Sequence, residues 1–119
     1  MQIAFYSVTG QVRRFVQKLG MPSIEVTSDC VISEPFLLII PTYDSNMLEP
    51  VFDFLEDPTN QENCRGIVGS GNRNFADLFI FTAKDLSNEY GIPIVHAFEF
   101  SGTDQDVETI KKVVKSLEP

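Results

Sequence analysis

The chain has 119 residues, 43% of them hydrophobic and ten of them Phe, which excludes intrinsic disorder and suits a single domain over 1–119 that buries its own core. Nine basic against seventeen acidic residues leave a formal net charge of −8, which argues against a nucleic-acid footprint, since that needs a basic stripe, and against an anionic membrane surface. No run approaches the ~20 apolar residues that cross a bilayer, and Met1–Tyr6 lacks the basic start and apolar length of a signal peptide, so a cytoplasmic location is expected.

Ile3–Tyr6 is a short apolar run that predicts the first strand, followed by the polar turn Ser7-Val8-Thr9-Gly10-Gln11. Val12, Phe15, Val16 and Leu19 then recur at i, i+3, i+4 and i+7, one face of a helix that Gly20 and Pro22 stop. Ile24 and Val26 predict a short, partly exposed second strand. Phe36–Ile40 is apolar without interruption, as expected of a parallel strand buried on both sides, and Pro41 ends it. Pro50 suits the first turn of a helix with the inner face Val51, Phe54 and Leu55, which Asp57-Pro58 breaks.

Gly66–Gly69 predicts a fourth strand with small residues where another group approaches closely. Phe75, Phe79, Ala83, Leu86 and Tyr90 predict one continuous third helix, stopped by Gly91 and Pro93. Ile92–Phe100 reads as the fifth strand. Thr103 caps a last helix with the inner face Val107, Ile110, Val114 and Leu117, its acids early and its lysines late, as the helix dipole favours.

Strands alternating with amphipathic helices define an α/β fold: a parallel sheet with helices on both faces. For five strands the expected arrangement is the flavodoxin-like order 2-1-3-4-5, which binds ligands outside the carboxyl ends of the strands. The loops of interest are therefore Ser7–Val12, Thr42–Glu49, Ser70–Phe75 and Ser101–Thr103.

Ser7–Gln11 offers hydroxyls and free backbone N–H groups at a helix start, a fit to a phosphate dianion; an ordinary cap, with Thr9 capping and Gly10 easing the turn, accounts for the same residues. Ser70-Gly71-Asn72-Arg73-Asn74 reads as a polar loop whose Gly and Asn let the backbone turn toward a ligand, with Phe75 at its rim to pack on a planar ring; plain turn chemistry and a core Phe are the alternative. Tyr43 is either a ring-stacking residue or a rim tyrosine with its hydroxyl in water. His96 lies in the fifth strand, away from the ligand end, and with one histidine no Ser/His/Asp set can be assembled. Cys30 and Cys64 show no metal-ligand spacing; buried free thiols are expected, with a disulfide left open. A receiver domain shares this size and acidity, but the first strand here runs into Ser7-Val8-Thr9 and the third into Pro41-Thr42, where its acidic residues belong.

Ser7-Val8-Thr9-Gly10 with Arg14-Phe15-Val16 and Lys18-Leu19, then Ser70-Gly71-Asn72-Arg73-Asn74-Phe75, then Phe98-Glu99-Phe100-Ser101-Gly102-Thr103 with Asp106-Val107-Glu108, together resemble the NrdI family over essentially the whole chain. These are small flavodoxin-like proteins of class Ib ribonucleotide reductase systems. The resemblance implies bound FMN and a partner, the dimanganese small subunit of the reductase, with a separate flavin reductant. It implies that reduced FMN yields a superoxide-type oxidant, or electrons, to assemble the tyrosyl radical of that subunit. The protein is then a redox partner or activase rather than an independent turnover enzyme. Carried over by position, Ser7, Thr9, Gly10 and Gln11 hold the phosphate in a turn that ends at Val12. Thr42, Tyr43, Asp44, Ser45 and Asn46 border one side of the flavin, and Ser70, Gly71, Asn72 and Phe75 the other. The stretch 44–49 lacks the glycines usual in NrdI, and Ala76 stands where the loop motif is usually followed by glycine. The alternatives are an NrdI-like partner-binding protein with weak or lost FMN binding, and a general short-chain flavodoxin.

Overall fold

The computed structural model describes residues 1–118, the side chain of Asp77 excepted. In chain order the elements are β1 (Gln2–Phe5), α1 (Gln11–Leu19), β2 (Ser23–Glu25), β3 (Phe36–Ile40), α2 (Glu49–Glu56), α3 (Pro58–Asn63), β4 (Cys64–Gly71), a 3₁₀ segment (Arg73–Leu78), α4 (Phe81–Tyr90), β5 (Ile94–Glu99) and α5 (Asp104–Leu117). The strands form one parallel five-stranded sheet in the order β2-β1-β3-β4-β5, the expected order.

All five residues of β3 are buried, and the period of two divides them. Phe36, Leu38 and Ile40 join Val51, Phe54 and Leu55 of α2 and Ala83 and Leu86 of α4 on one face. Leu37 and Ile39 join Val12, Phe15, Val16 and Leu19 of α1 and Val107, Ile110 and Val114 of α5 on the other. The four apolar positions read along α1 are the four it buries, and Gly20 ends it in the left-handed conformation at φ 64°.

Elsewhere tertiary packing redraws the boundaries. Asp57-Pro58 does stop α2, but the chain re-enters a helix at once. The Asp57 carboxylate accepts the Thr59 N–H at 2.8 Å, and Pro58 occupies the first helical position, where its missing N–H costs nothing. β4 runs on through Ser70 and Gly71, which are strand rather than loop, because β5 pairs with them as far as Glu99. Phe75–Tyr90 is not one helix. A 3₁₀ segment and α4 are separated at Ile80, a β-branched residue at φ 52°. Ile80 is buried over Gly69, where an added Cβ would stand 2.9 Å from the Ile80 Cβ, so seating this side chain on the sheet overrides the helical period. Val26 falls outside β2, although its N–H still donates to the Phe5 carbonyl at 2.8 Å. β5 spans Ile94–Glu99 rather than Ile92–Phe100, and Phe100 leaves it at φ 54°.

Thr103 caps α5 as expected, in a reciprocal box. Its hydroxyl accepts the Asp106 N–H at 3.2 Å, and the Asp106 carboxylate accepts the Thr103 N–H at 2.8 Å. The other Asp106 oxygen lies 2.9 Å from His96 Nε2, so the one histidine is a satisfied strand residue tied to a helix cap. Burial pushes the Asp106 carboxyl up, and the hydrogen bonds from His96 and Thr103 more than offset it, leaving the group below its ordinary value of 3.8. The unfolded chain therefore binds this proton more tightly. The stabilisation is complete above the unfolded pKa and is lost as pH falls through the folded one. Asp106→Asn is expected to lower the urea midpoint at pH 7, with the gap to wild type narrowing from about pH 4 downward and closing in stronger acid.

Candidate functional site

Parallel strands end together, and beyond the carboxyl ends of β3, β4 and β5 lies a cavity of about 410 Å³. Seven of the residues expected at the site line it: Gln11, Thr42, Tyr43, Ser70, Gly71, Asn72 and Phe75. Pro41, Leu78, Phe81 and Phe100 complete the lining and were not anticipated. Phe100 escaped notice because it reads as the last residue of a strand. Its positive φ instead turns it onto the rim, where it stands 47% exposed.

Hydroxyl groups bind the walls together. The Thr42 hydroxyl donates to the Ser70 carbonyl at 2.8 Å, and the Ser70 hydroxyl donates to the Phe100 carbonyl at 2.7 Å. The Tyr43 hydroxyl donates to Thr9 Oγ1 at 3.4 Å, joining the turn after β3 to the turn after β1. Asn72 keeps its loop tight by accepting the Asn74 N–H at 2.9 Å. Arg73 pairs with Glu99 at 3.3 Å and lays its guanidinium 4.5 Å from the centre of the Phe79 ring, bracing the 3₁₀ segment against β5.

The turn before α1 differs from the expected cap. Ser7, rather than Thr9, holds the helix start: its Oγ accepts the N–H groups of Gly10 at 3.1 Å and Arg13 at 3.3 Å. Gly10 stands at φ 91°, a conformation that favours glycine, and makes no side-chain cap. The Gln11 and Val12 amides have no acceptor among the described residues, and the Thr9 side chain is exposed. Val12 contributes only its backbone here, since its side chain lies in the core. Arg14 reaches back over the turn, its Nη1 3.4 Å from where a Gly10 Cβ would stand. Asp44, Ser45 and Asn46 occupy an exposed turn outside the cavity lining, closed by the Asp44 carbonyl accepting the Met47 N–H at 2.9 Å rather than by the Asp44 side chain.

This donor set fits a flat aromatic ring carrying a phosphate. Tyr43, Phe75, Phe81 and Phe100 supply ring faces or edges, and the open amides of α1 and the Arg14 guanidinium supply positive charge next to Gln11 at the cavity edge. The thiols stand apart from this chemistry: Cys30 and Cys64 are free, and burial pushes the Cys64 thiol up to about 12, which keeps it protonated and inert.

Residues 3–112 match the family described as NrdI Flavodoxin like. The chain belongs to the NrdI family. The NrdI protein of Streptococcus pyogenes serotype M1 is 34% identical over 97% of this chain and 77% of its own length. That of S. pyogenes serotype M4 strain MGAS10750 is 35% identical over 97% of this chain and 87% of its own. Among solved structures, the Streptococcus pneumoniae TIGR4 flavodoxin superposes with a TM-score of 0.63 at 20% identity, covering 98% of this chain and 95% of that one. A short-chain flavodoxin associated with a bacterial microcompartment gives 0.60 at 18% identity, covering 98% and 97%. These two likenesses establish a flavodoxin-like fold.

Ala76 stands at φ 51° and ψ −116°, a conformation that favours glycine. A side chain there costs roughly 1–3 kcal/mol, against about 0.5–1 kcal/mol of extra chain entropy lost by glycine. Ala76→Gly is therefore expected to stabilise the fold by about 1 kcal/mol, read as a higher urea midpoint at unchanged slope.

Proposed function

We propose that this member of the NrdI family binds FMN in the cavity beyond the carboxyl ends of β3, β4 and β5, with the phosphate at the turn after β1, and acts as the cytoplasmic redox activase of the dimanganese small subunit of a class Ib ribonucleotide reductase. The observation that carries the reading is the meeting of an aromatic-lined cavity with the open amides of α1, at the switch point of a doubly wound sheet. A chain at −8 repels a phosphate at long range, so binding must rest on local donors. Those donors are the Thr9 hydroxyl, the Gln11 and Val12 amides and the Arg14 guanidinium, while Ser7 and Gly10 shape the turn. Tyr43 and Phe75 would border the flavin ring, and Thr42, Gly71 and Asn72 of the cavity lining would offer it backbone groups.

FMN, when bound, would supply the redox chemistry, the electrons that turn dioxygen into a superoxide-type oxidant for the partner's metal site. The chain contributes placement and shielding. Phe75, Leu78 and Phe100 are 63%, 59% and 47% exposed and form an apolar rim, which suits a partner that covers the cavity mouth and keeps the oxidant from bulk water.

Apo-protein is expected to quench FMN fluorescence at a one-to-one ratio, and Thr9→Val to weaken binding by roughly 1–3 kcal/mol, the cost of a lost contact to a charged oxygen. Absence of quenching at micromolar protein would leave partner binding without flavin as the surviving reading. With FMN bound, adding the reduced protein and dioxygen to the manganese-loaded small subunit is expected to generate the tyrosyl radical by electron spin resonance. A signal no larger than in a control without this protein would overturn the activase role.

A further inference from the structure

Thr82 lies in the first turn of α4, outside the cavity lining, and belongs to none of the loops that border it. Its hydroxyl nevertheless serves a residue of the site twice. Beyond Ile40 the β3 ladder ends, and Pro41 has no N–H to extend it. The N–H and C=O of Tyr43, a half-buried residue, therefore need partners from elsewhere. Thr82 Oγ1 accepts the Tyr43 N–H at 3.2 Å and donates to the Tyr43 carbonyl at 2.9 Å. Thr82 is 2% exposed, so water does not stand ready to replace it.

We propose that Thr82 is a positioning residue of the flavin site, its one hydroxyl holding both backbone groups of Tyr43 and so fixing the Tyr43 ring between the cavity and Thr9. The inference rests on the flavin reading above. Thr82, the Tyr43 backbone, the Tyr43 hydroxyl and Thr9 form one connected path from α4 to the phosphate turn. The other cross-ties in this region, Thr42 to Ser70 and Ser70 to Phe100, each use a hydroxyl on one carbonyl; Thr82 spends donor and acceptor on one residue. Its neighbours belong to the same corner of the fold: Phe81 lines the cavity and Ala83 packs beside Gly69. Removal of the hydroxyl leaves two Tyr43 groups unpaired and lets the ring sample poses that binding must reorder.

The test is FMN affinity by fluorescence quenching for wild type, Thr82→Val, Thr82→Ser, Tyr43→Ala and the Tyr43→Ala/Thr82→Val double variant. Thr82→Val is expected to weaken FMN binding about tenfold, and Thr82→Ser to stay within about twofold of wild type. In the Tyr43→Ala background the valine substitution is expected to change affinity less than about twofold, because the ring it positions is gone. Thr82→Val equal to wild type, or an equal loss in both backgrounds, would overturn the inference while the flavin reading stands. Failure of the wild type to bind FMN would overturn the flavin reading itself. Should the valine variant lose its far-UV spectrum, hydrogen exchange on flavin-free wild type decides the first link: the Tyr43 amide is expected to be protected, more so than in Thr82→Ala, and free exchange would overturn the proposal.

Discussion

Five apolar residues in a row, Phe36 to Ile40, cannot be half-covered. β3 is the central strand, and each Leu or Ile it buries is worth about 1.5–3 kcal/mol, so helices must lie on both faces of the sheet. Here both faces are covered by crossovers that return every strand in the same direction. All the carboxyl ends then fall on one edge, and the turns after β1, β3 and β4 face a common space. The cavity lies at that edge.

That edge is also where the ladder of a parallel sheet runs out of partners. Part of the deficit is met within the chain by short hydroxyl side chains: Ser7 on two amides, Thr42 and Ser70 each on a carbonyl, Thr82 on both groups of Tyr43. The rest, chiefly the Gln11 and Val12 amides of α1, has no acceptor among the described residues. Backbone strain gathers at the same edge. Ala76, Ile80 and Phe100, the non-glycine residues at positive φ among those described, all follow β4 or β5. Strain held in this way costs stability and persists because the surroundings fix it: Ile80 by its seat on Gly69, Phe100 by the Ser70 hydroxyl on its carbonyl.

The opposite face secures the end of β5. Phe15 stacks on Phe98 with ring centres 4.1 Å apart, Gly102 lies so close that a side chain there would collide with the Phe15 ring, and Lys18 donates to the Ser101 and Gly102 carbonyls. With the Thr103–Asp106 box and its His96 contact, these interactions fix where Phe100 emerges. Phe98–Thr103 thus has a structural reason as a motif: it joins α1, β5 and α5 at one corner of the cavity.

What the sequence determined by itself were the features written in short-range chemistry. The i, i+3, i+4, i+7 spacing of α1, its glycine stop, the unbroken run of β3 and the Thr103 cap are each set by periodicity or by a few neighbouring residues, and the alternation of strands and helices sufficed for the sheet order. Gln11, Thr42, Tyr43, Ser70, Gly71, Asn72 and Phe75 were legible as residues of one cavity, because their residue types and order carry a family's motif. Only the tertiary structure decided what depends on partners distant in the chain. β4 extends through Gly71 because β5 pairs with it, and the helix expected from Phe75 breaks because Ile80 must sit on Gly69. Ser7 displaces Thr9 as the cap, Phe100 turns onto the rim, and Thr82, one more polar residue on a helix, becomes the partner of Tyr43. A hydrogen bond across 39 residues leaves no periodicity and no local composition to read, so its existence becomes visible only when the chain is folded.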